Sequence, residues 1–315
     1  MSVRSPFLNL ALLVAAALLS AVVSAAPRPA FTYQSMLNIY FDDTSGLIRI
    51  MDMDLAFAPE GQINAAVALV DANNTVVQSH KFYPDPRWRE TVFARLVEVG
   101  PADFTPPAPG IYNVVFLVDG QPVSRLPVRM EETSAGDDPF NPQKTYGYSG
   151  MWQAYGFLTT HRTWKEEPFP ELNLWLGVKD LAEGARKDMF VASLTRDGKT
   201  IAHSRETLGH ITNKHYQETR IDLYHPHTRQ QIPNAQPFVL SDWTANDGSY
   251  ALLVNRRSDG QLLRRFEVVV EGGKIRQLAA TELGFEPQVD YMVPRVIRPG
   301  ANRYEFIEAI WLQSK

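Results

Sequence analysis

Six of the chain's seven histidines fall in its second half, at His161, His203, His210, His215, His225 and His227. Imidazole nitrogens bind metals and carry protons near neutral pH. His225-Pro226-His227 has the i, i+2 spacing that sets two rings on one face of an extended strand, a frequent zinc geometry. His215, Glu218 or Asp222, a short way upstream, would complete a shell, so zinc or copper at His215, His225 and His227 is one expectation. Pro226 removes a ladder hydrogen bond and places the pair at an edge or in a loop. No His-Glu-x-x-His pattern orders these residues, and solvated loop histidines with no cofactor are the plainer reading.

Aromatic side chains give a second chemistry. Tyr146, Tyr148, Trp152, Tyr155, Phe157, Trp164, Phe169 and Trp175 are crowded into one short stretch. Exposed rings stack on sugars or grip a peptide, whereas buried ones fill a core. Trp152 and Tyr155 match Leu37 and Tyr40 of an earlier, similar stretch and are read as core. Trp164 and Tyr146, expected in a loop and beside a linker, are the binding candidates. Arg162, Arg220, Tyr224 and Trp243 join them, because 158–171 and 205–247 are read as loops lengthened relative to the first half. Carboxylates at Asp42-Asp43, Asp52, Asp54 and Glu166-Glu167 lack the spacing of a calcium loop and are read as turn caps and a solvated strand face. The chain has no Gly-x-Ser-x-Gly elbow, no glycine-rich phosphate loop and no cysteine, so catalysis is not expected.

The elements that must position these groups are strands. Apolar and polar residues alternate over short runs, punctuated by Gly, Pro, Asn and Asp. Asp119-Gly120, Asp197-Gly198 and Asp259-Gly260 are strong hairpin signals. Short helical turns are expected at 180–187 and 279–283. The order of these signals occurs twice. Tyr33 to Tyr40 returns as Tyr148 to Tyr155, Val67-Ala68-Leu69-Val70 returns as Val191-Ala192-Ser193-Leu194, and Gly110-Ile111-Tyr112 returns as Gly248-Ser249-Tyr250. Order is kept while spacing grows, as duplication with lengthened connections predicts.

The stretch Pro109-Gly110-Ile111-Tyr112 through Asp119-Gly120 resembles the late hairpin of immunoglobulin-like β-sandwiches common in exported bacterial proteins. The resemblance implies an all-β fold of two tandem immunoglobulin-like sandwiches, with Tyr112 and Tyr250 as tyrosine-corner residues. The expected boundaries are a signal peptide at 1–26, a first sandwich at 31–132, a linker at 133–144, a second sandwich at 145–271 and a strand-like extension at 272–315 that packs on either sandwich. Residues 1–26 carry Arg4, an apolar run from Leu8 to Val23 and the small residues Ser24-Ala25-Ala26. That run is short for a membrane helix, so an exported product without a membrane span is expected. The net charge of −4 and the lack of a basic block argue against nucleic acid as a partner. The expected role is non-catalytic binding in the periplasm or cell envelope, of a protein partner through sandwich loops or a sheet edge. A carbohydrate-binding module and a metal protein or hydrolase are the alternatives.

Overall fold

A computed structural model of the chain describes residues 31–57, 64–81, 83–84, 92–95, 102–118, 120–135, 143–205, 210–212, 216–227, 234–285 and 309–315. The expected signal peptide lies outside them. The first half supplies β1 (Phe31–Phe41), β2 (Ile48–Phe57), β3 (Ala65–Asp71), β4 (Val76–Lys81), β5 (Tyr83–Pro84), β6 (Val92–Arg95), β7 (Ala102–Phe104), β8 (Gly110–Val118), β9 (Gln121–Ala135) and β10 (Gln143–Ser149). The second half supplies β11 (Tyr155–Trp164), β12 (Glu167–Leu176), β13 (Lys187–Arg196), β14 (Lys199–His203), β15 (His210–Thr212), β16 (Tyr216–Asp222), β17 (Gly248–Arg256), β18 (Leu262–Glu271), β19 (Lys274–Ile275) and β20 (Ile310–Gln313). Two short helices, α1 (Leu240–Thr244) and α2 (Ala280–Leu283), complete the described elements together with 3-10 turns at Met151–Gln153 and Val178–Asp180. The protein is all-β.

The strands form three antiparallel sheets. A central sheet runs β20-β11-β12-β16-β1-β2-β6-β5, with β7 also paired to β2. One flanking sheet runs β10-β9-β8-β3-β4, and the other runs β19-β18-β17-β13-β14, with β15 also on β13. The two flanking sheets share a strand order. β9-β8-β3-β4 corresponds to β18-β17-β13-β14, and β2-β6 to β12-β16, an arrangement compatible with tandem sandwiches. The Tyr112 hydroxyl donates to the Ala108 carbonyl at 2.5 Å, and the Tyr250 hydroxyl donates to the Asn246 carbonyl at 2.6 Å, each four residues upstream. Both are tyrosine corners in the same geometry.

Two details of the repeat differ from expectation. Pairing with the tyrosine strands sets Val70 opposite Asn113 and Thr195 opposite Ala251, so Leu69 corresponds to Leu194 and Val67 to Ala192. The sequence correspondence was one residue out, and such a slip turns every side chain to the other face. Tyr33 to Tyr40 lies within β1, whereas Tyr148 to Tyr155 spans the end of β10, the 3-10 turn and the start of β11. That likeness is not structural.

Two apolar clusters fill the space between sheets. One joins Ile48 and Ile50 of β2 to Val67, Leu69, Val114, Leu126 and Val128 of the first flanking sheet, and continues through Trp152, Phe157, Trp175 and Trp311. The other joins Leu158, Leu172, Leu174, Leu176 and Ile221 to Phe190, Leu194, Leu252, Phe266 and Val268 of the second flanking sheet. On β12, Trp175 serves the first cluster while Leu174 and Leu176 serve the second. Both faces of this strand are covered, which is why its residues from Phe169 to Leu176 read as an unbroken buried run.

The halves meet by strand pairing. β1 of the first half pairs with β16 of the second at Asn38–Gln217 and Ile39–Tyr216. Residues 133–135 and 143–144, expected in a linker, are strand. β9 and β10 pair from Ala135–Gln143 to Arg129–Ser149, which places β10 in the first flanking sheet. The extension returns to the second half, where β20 pairs with β11 and sends Trp311 into one cluster and Leu312 into the other. Among the described residues no helix is long and apolar enough to cross a membrane.

Candidate functional site

The hairpin β11–β12 and its neighbour β16 bring Arg162, Trp164, Arg220 and Tyr224 together with Glu171 and Asp222. Residues 158–171 are mostly strand, not the loop expected: Trp164 pairs with Glu167 and Arg162 with Phe169, and only Lys165 and Glu166 turn. Both turn residues hold left-handed backbone, at φ 48° and 71°. Without glycine this costs on the order of 1 kcal/mol per residue. Trp164 stands at this tip with 44% of its surface exposed.

Arg162 and Trp164 are two apart on β11 and share a face. Phe169, Glu171, Asn173 and Trp175 alternate along the corresponding face of β12. The Arg162 guanidinium lies over the Phe169 ring, 4.6 Å from its centroid. Its Nη1 donates to Glu171 Oε2 at 3.0 Å and to both Asp222 oxygens at 2.7 Å. Glu171 and Asp222 are directly opposed in the β12–β16 ladder and are 4% and 9% exposed. The Tyr224 hydroxyl donates to Asp222 Oδ2 at 3.4 Å, and the Arg205 guanidinium lies 4.3 Å from the Tyr224 ring centroid. Arg220, exposed on β16 opposite Asn173, faces the same group. Asn173 anchors the row by donating to Thr159 Oγ1 at 3.3 Å and to the Glu171 carbonyl at 3.0 Å.

Two carboxylates therefore share one guanidinium nitrogen in a nearly dry place. Burial pushes the Glu171 carboxyl above its ordinary range, the Asp222 charge pushes it further, and Arg162 only partly offsets them. The Tyr224 hydroxyl is raised for the same leading reason, with Asp222 adding to it. The cluster can hold a guanidinium in a fixed position and exchange a proton at Glu171.

The remaining candidates lie elsewhere. Trp243 is 1% exposed, edge-on to Phe238 in the second cluster, so it is not a surface residue. It sits on α1, whose short turn directs it inward. Tyr146 is half-buried in β10 against the first cluster and donates its backbone N–H to Asp43 at 2.7 Å, apart from the hairpin face. His215 lies outside the described residues. His225 and His227 do not present their rings side by side, because this segment is a bend and not a strand. His225 Nε2 contacts Asp242 Oδ2 at 3.0 Å, which also caps α1 by accepting from Val239 N–H. His227 Nδ1 donates to the His225 carbonyl at 2.9 Å and its ring stacks on His203 at 4.2 Å. Among the described residues no three His, Asp or Glu side chains gather as metal ligands would. Asp42 acts as a turn cap, accepting from Thr44 and Ser45 N–H at 2.9 and 3.2 Å.

The sequence reading does not single out Glu171, and it offers Asp222 only as a possible metal ligand. A signal existed for the first, since Glu171 is the one acid inside the apolar run from Phe169 to Leu176. Asp222 has no local signal, because only the register of β12 with β16 sets it opposite Glu171. No protein-family model, curated protein or solved structure matches this chain.

Proposed function

We propose that this is an exported, non-catalytic binding or adaptor protein of the periplasm or cell envelope. It recognises a protein partner through the outer part of the β11–β12 hairpin. The observation that carries this reading is the convergence of Arg162, Arg220 and Tyr224 on one face of β11, β12 and β16, next to the exposed Trp164. A buried carboxylate pair holding one half-exposed arginine costs desolvation energy that a purely structural position would avoid with apolar residues.

Crosslinking and affinity capture from the native envelope, with wild-type bait beside Trp164→Ala and Arg220→Ala, tests it. The expected result is a discrete partner retained by the wild type and lost by both variants. Identical captures would refute the surface. The exposed Trp164 favours a second reading, a carbohydrate-binding module, since a solvent-facing indole is a platform for a sugar ring. Retention of the wild type on a polysaccharide column, lost with Trp164→Ala, would select that reading.

A further inference from the structure

We propose that the outward edge of the Arg162 guanidinium, with Trp164 beside it, is a receptor for a carboxylate side chain on an extended acidic peptide segment. The proposal rests on the hairpin-face reading above and names the chemistry that face selects.

Arg162 is fixed from behind. Nη1 is committed to Glu171 and Asp222, and the plane of the group rests on Phe169. The side chain is nonetheless 43% exposed, and its Nε and Nη2 have no partner among the described residues. That pair of donors is the fork that takes a carboxylate by two parallel hydrogen bonds. Such a fork is usually mobile at a surface, and binding must then order it. Here the ordering is already done by three contacts, so the entropic cost of immobilising the side chain on binding is small.

The local charge permits an anion. Arg162 and Arg220 stand against the carboxylates of Glu171 and Asp222, and the Arg205 guanidinium lies over the neighbouring Tyr224 ring. Lys165 stands with Glu166 and Glu167 at the hairpin tip. Trp164 lies two residues along the same face, the distance that separates alternate side chains of a strand. An extended peptide laid along this face would set one acidic side chain on Arg162 and its neighbour two residues away on the Trp164 ring.

Fluorescence anisotropy with a labelled peptide alternating Glu and Val tests this, using the wild-type protein, Arg162→Lys and Trp164→Ala. An amide control alternating Gln and Val and soluble polygalacturonate complete the series. The expected result is binding of the acidic peptide that weakens with added salt. Arg162→Lys keeps the charge but loses the fork and should bind about tenfold more weakly, as should Trp164→Ala, while the amide peptide should not bind. Equal binding of the amide peptide, unchanged affinity in both variants, or no binding of the acidic peptide overturns the proposal. Binding of polygalacturonate in place of the peptide also overturns it and points to an acidic sugar. If the acidic peptide fails while partner capture still depends on Trp164, only the acidic specificity falls. If neither depends on Trp164, the hairpin-face reading falls with it.

Discussion

Burial and the opposed Asp222 charge both disfavour ionisation of Glu171, and the shared nitrogen of Arg162 does not fully compensate. The sign of the consequence is fixed. The folded protein holds this proton more tightly than the unfolded chain does. Stability is therefore lost as pH rises from the ordinary glutamate range, about 4.3, through the raised folded value, and is level above it. Glu171→Gln removes this loss and leaves Arg162 bound to Asp222. Urea titrations across that window should give a flatter profile for the variant, with equal or greater stability at neutral pH. A variant less stable at neutral pH would show that ionised Glu171 contributes favourably. The tyrosine corners offer a paired test of the duplication. Tyr112→Phe removes one hydroxyl bond and should cost about 1 kcal/mol, whereas Tyr250→Phe also removes the bond that Arg196 Nη1 donates to this hydroxyl and should cost more. Tyr112, Tyr250, Arg162 and Tyr224 were legible in the sequence because turn signals and lengthened segments pointed to them. Trp243 was misread, since a tryptophan between polar residues carries no mark of which way a single helical turn will face it.

Among the elements, hairpins were the most legible. Asp197-Gly198 turns with both residues at positive φ, 50° and 73°, the geometry that matches strand twist and that glycine adopts freely. The stretch 158–171 reads from its spacing as a lengthened loop, yet it is a hairpin in which Lys165-Glu166 turns without glycine and Pro168 and Pro170 sit within β12. The 3-10 turn at Val178–Asp180, expected as helix from Asp180 onward, is held differently. Arg264 on β18 donates to both Asp180 oxygens at 2.8 and 3.2 Å, with both residues buried, and Asp180 Oδ2 also accepts from Gly177 N–H at 3.0 Å. Removing one member of a buried pair strands the other charge. Asp180→Ala should therefore cost roughly 3–5 kcal/mol in denaturant unfolding. A loss below about 1 kcal/mol would mean that water reaches Arg264 and replaces the carboxylate.

At the scale of the whole molecule, the sequence suggested two separable units, and the pairing of β1 with β16 joins them. No local pattern announces this, because Asn38 and Gln217 are brought together only by the finished fold. Coverage on both faces buries β12 from Phe169 to Leu176, which its sequence, with Glu171 and Asn173 in it, does not announce. β20 ties the two clusters together through adjacent residues, Trp311 and Leu312. Trp311→Ala should cost about 3–5 kcal/mol, and calorimetry should record one transition that moves as a whole. Two resolved transitions, only one of them shifted, would show that the clusters melt apart.

The central claim is that the hairpin tip is where a partner docks, and site-specific photocrosslinking in the native envelope addresses it most directly. A photoreactive residue at Trp164 is compared with one at Ile111, which is 56% exposed on the first flanking sheet. The account predicts a discrete adduct from position 164, absent from position 111 and abolished when Arg162→Lys is added. An adduct of the same size from both positions, or none from 164, would contradict it.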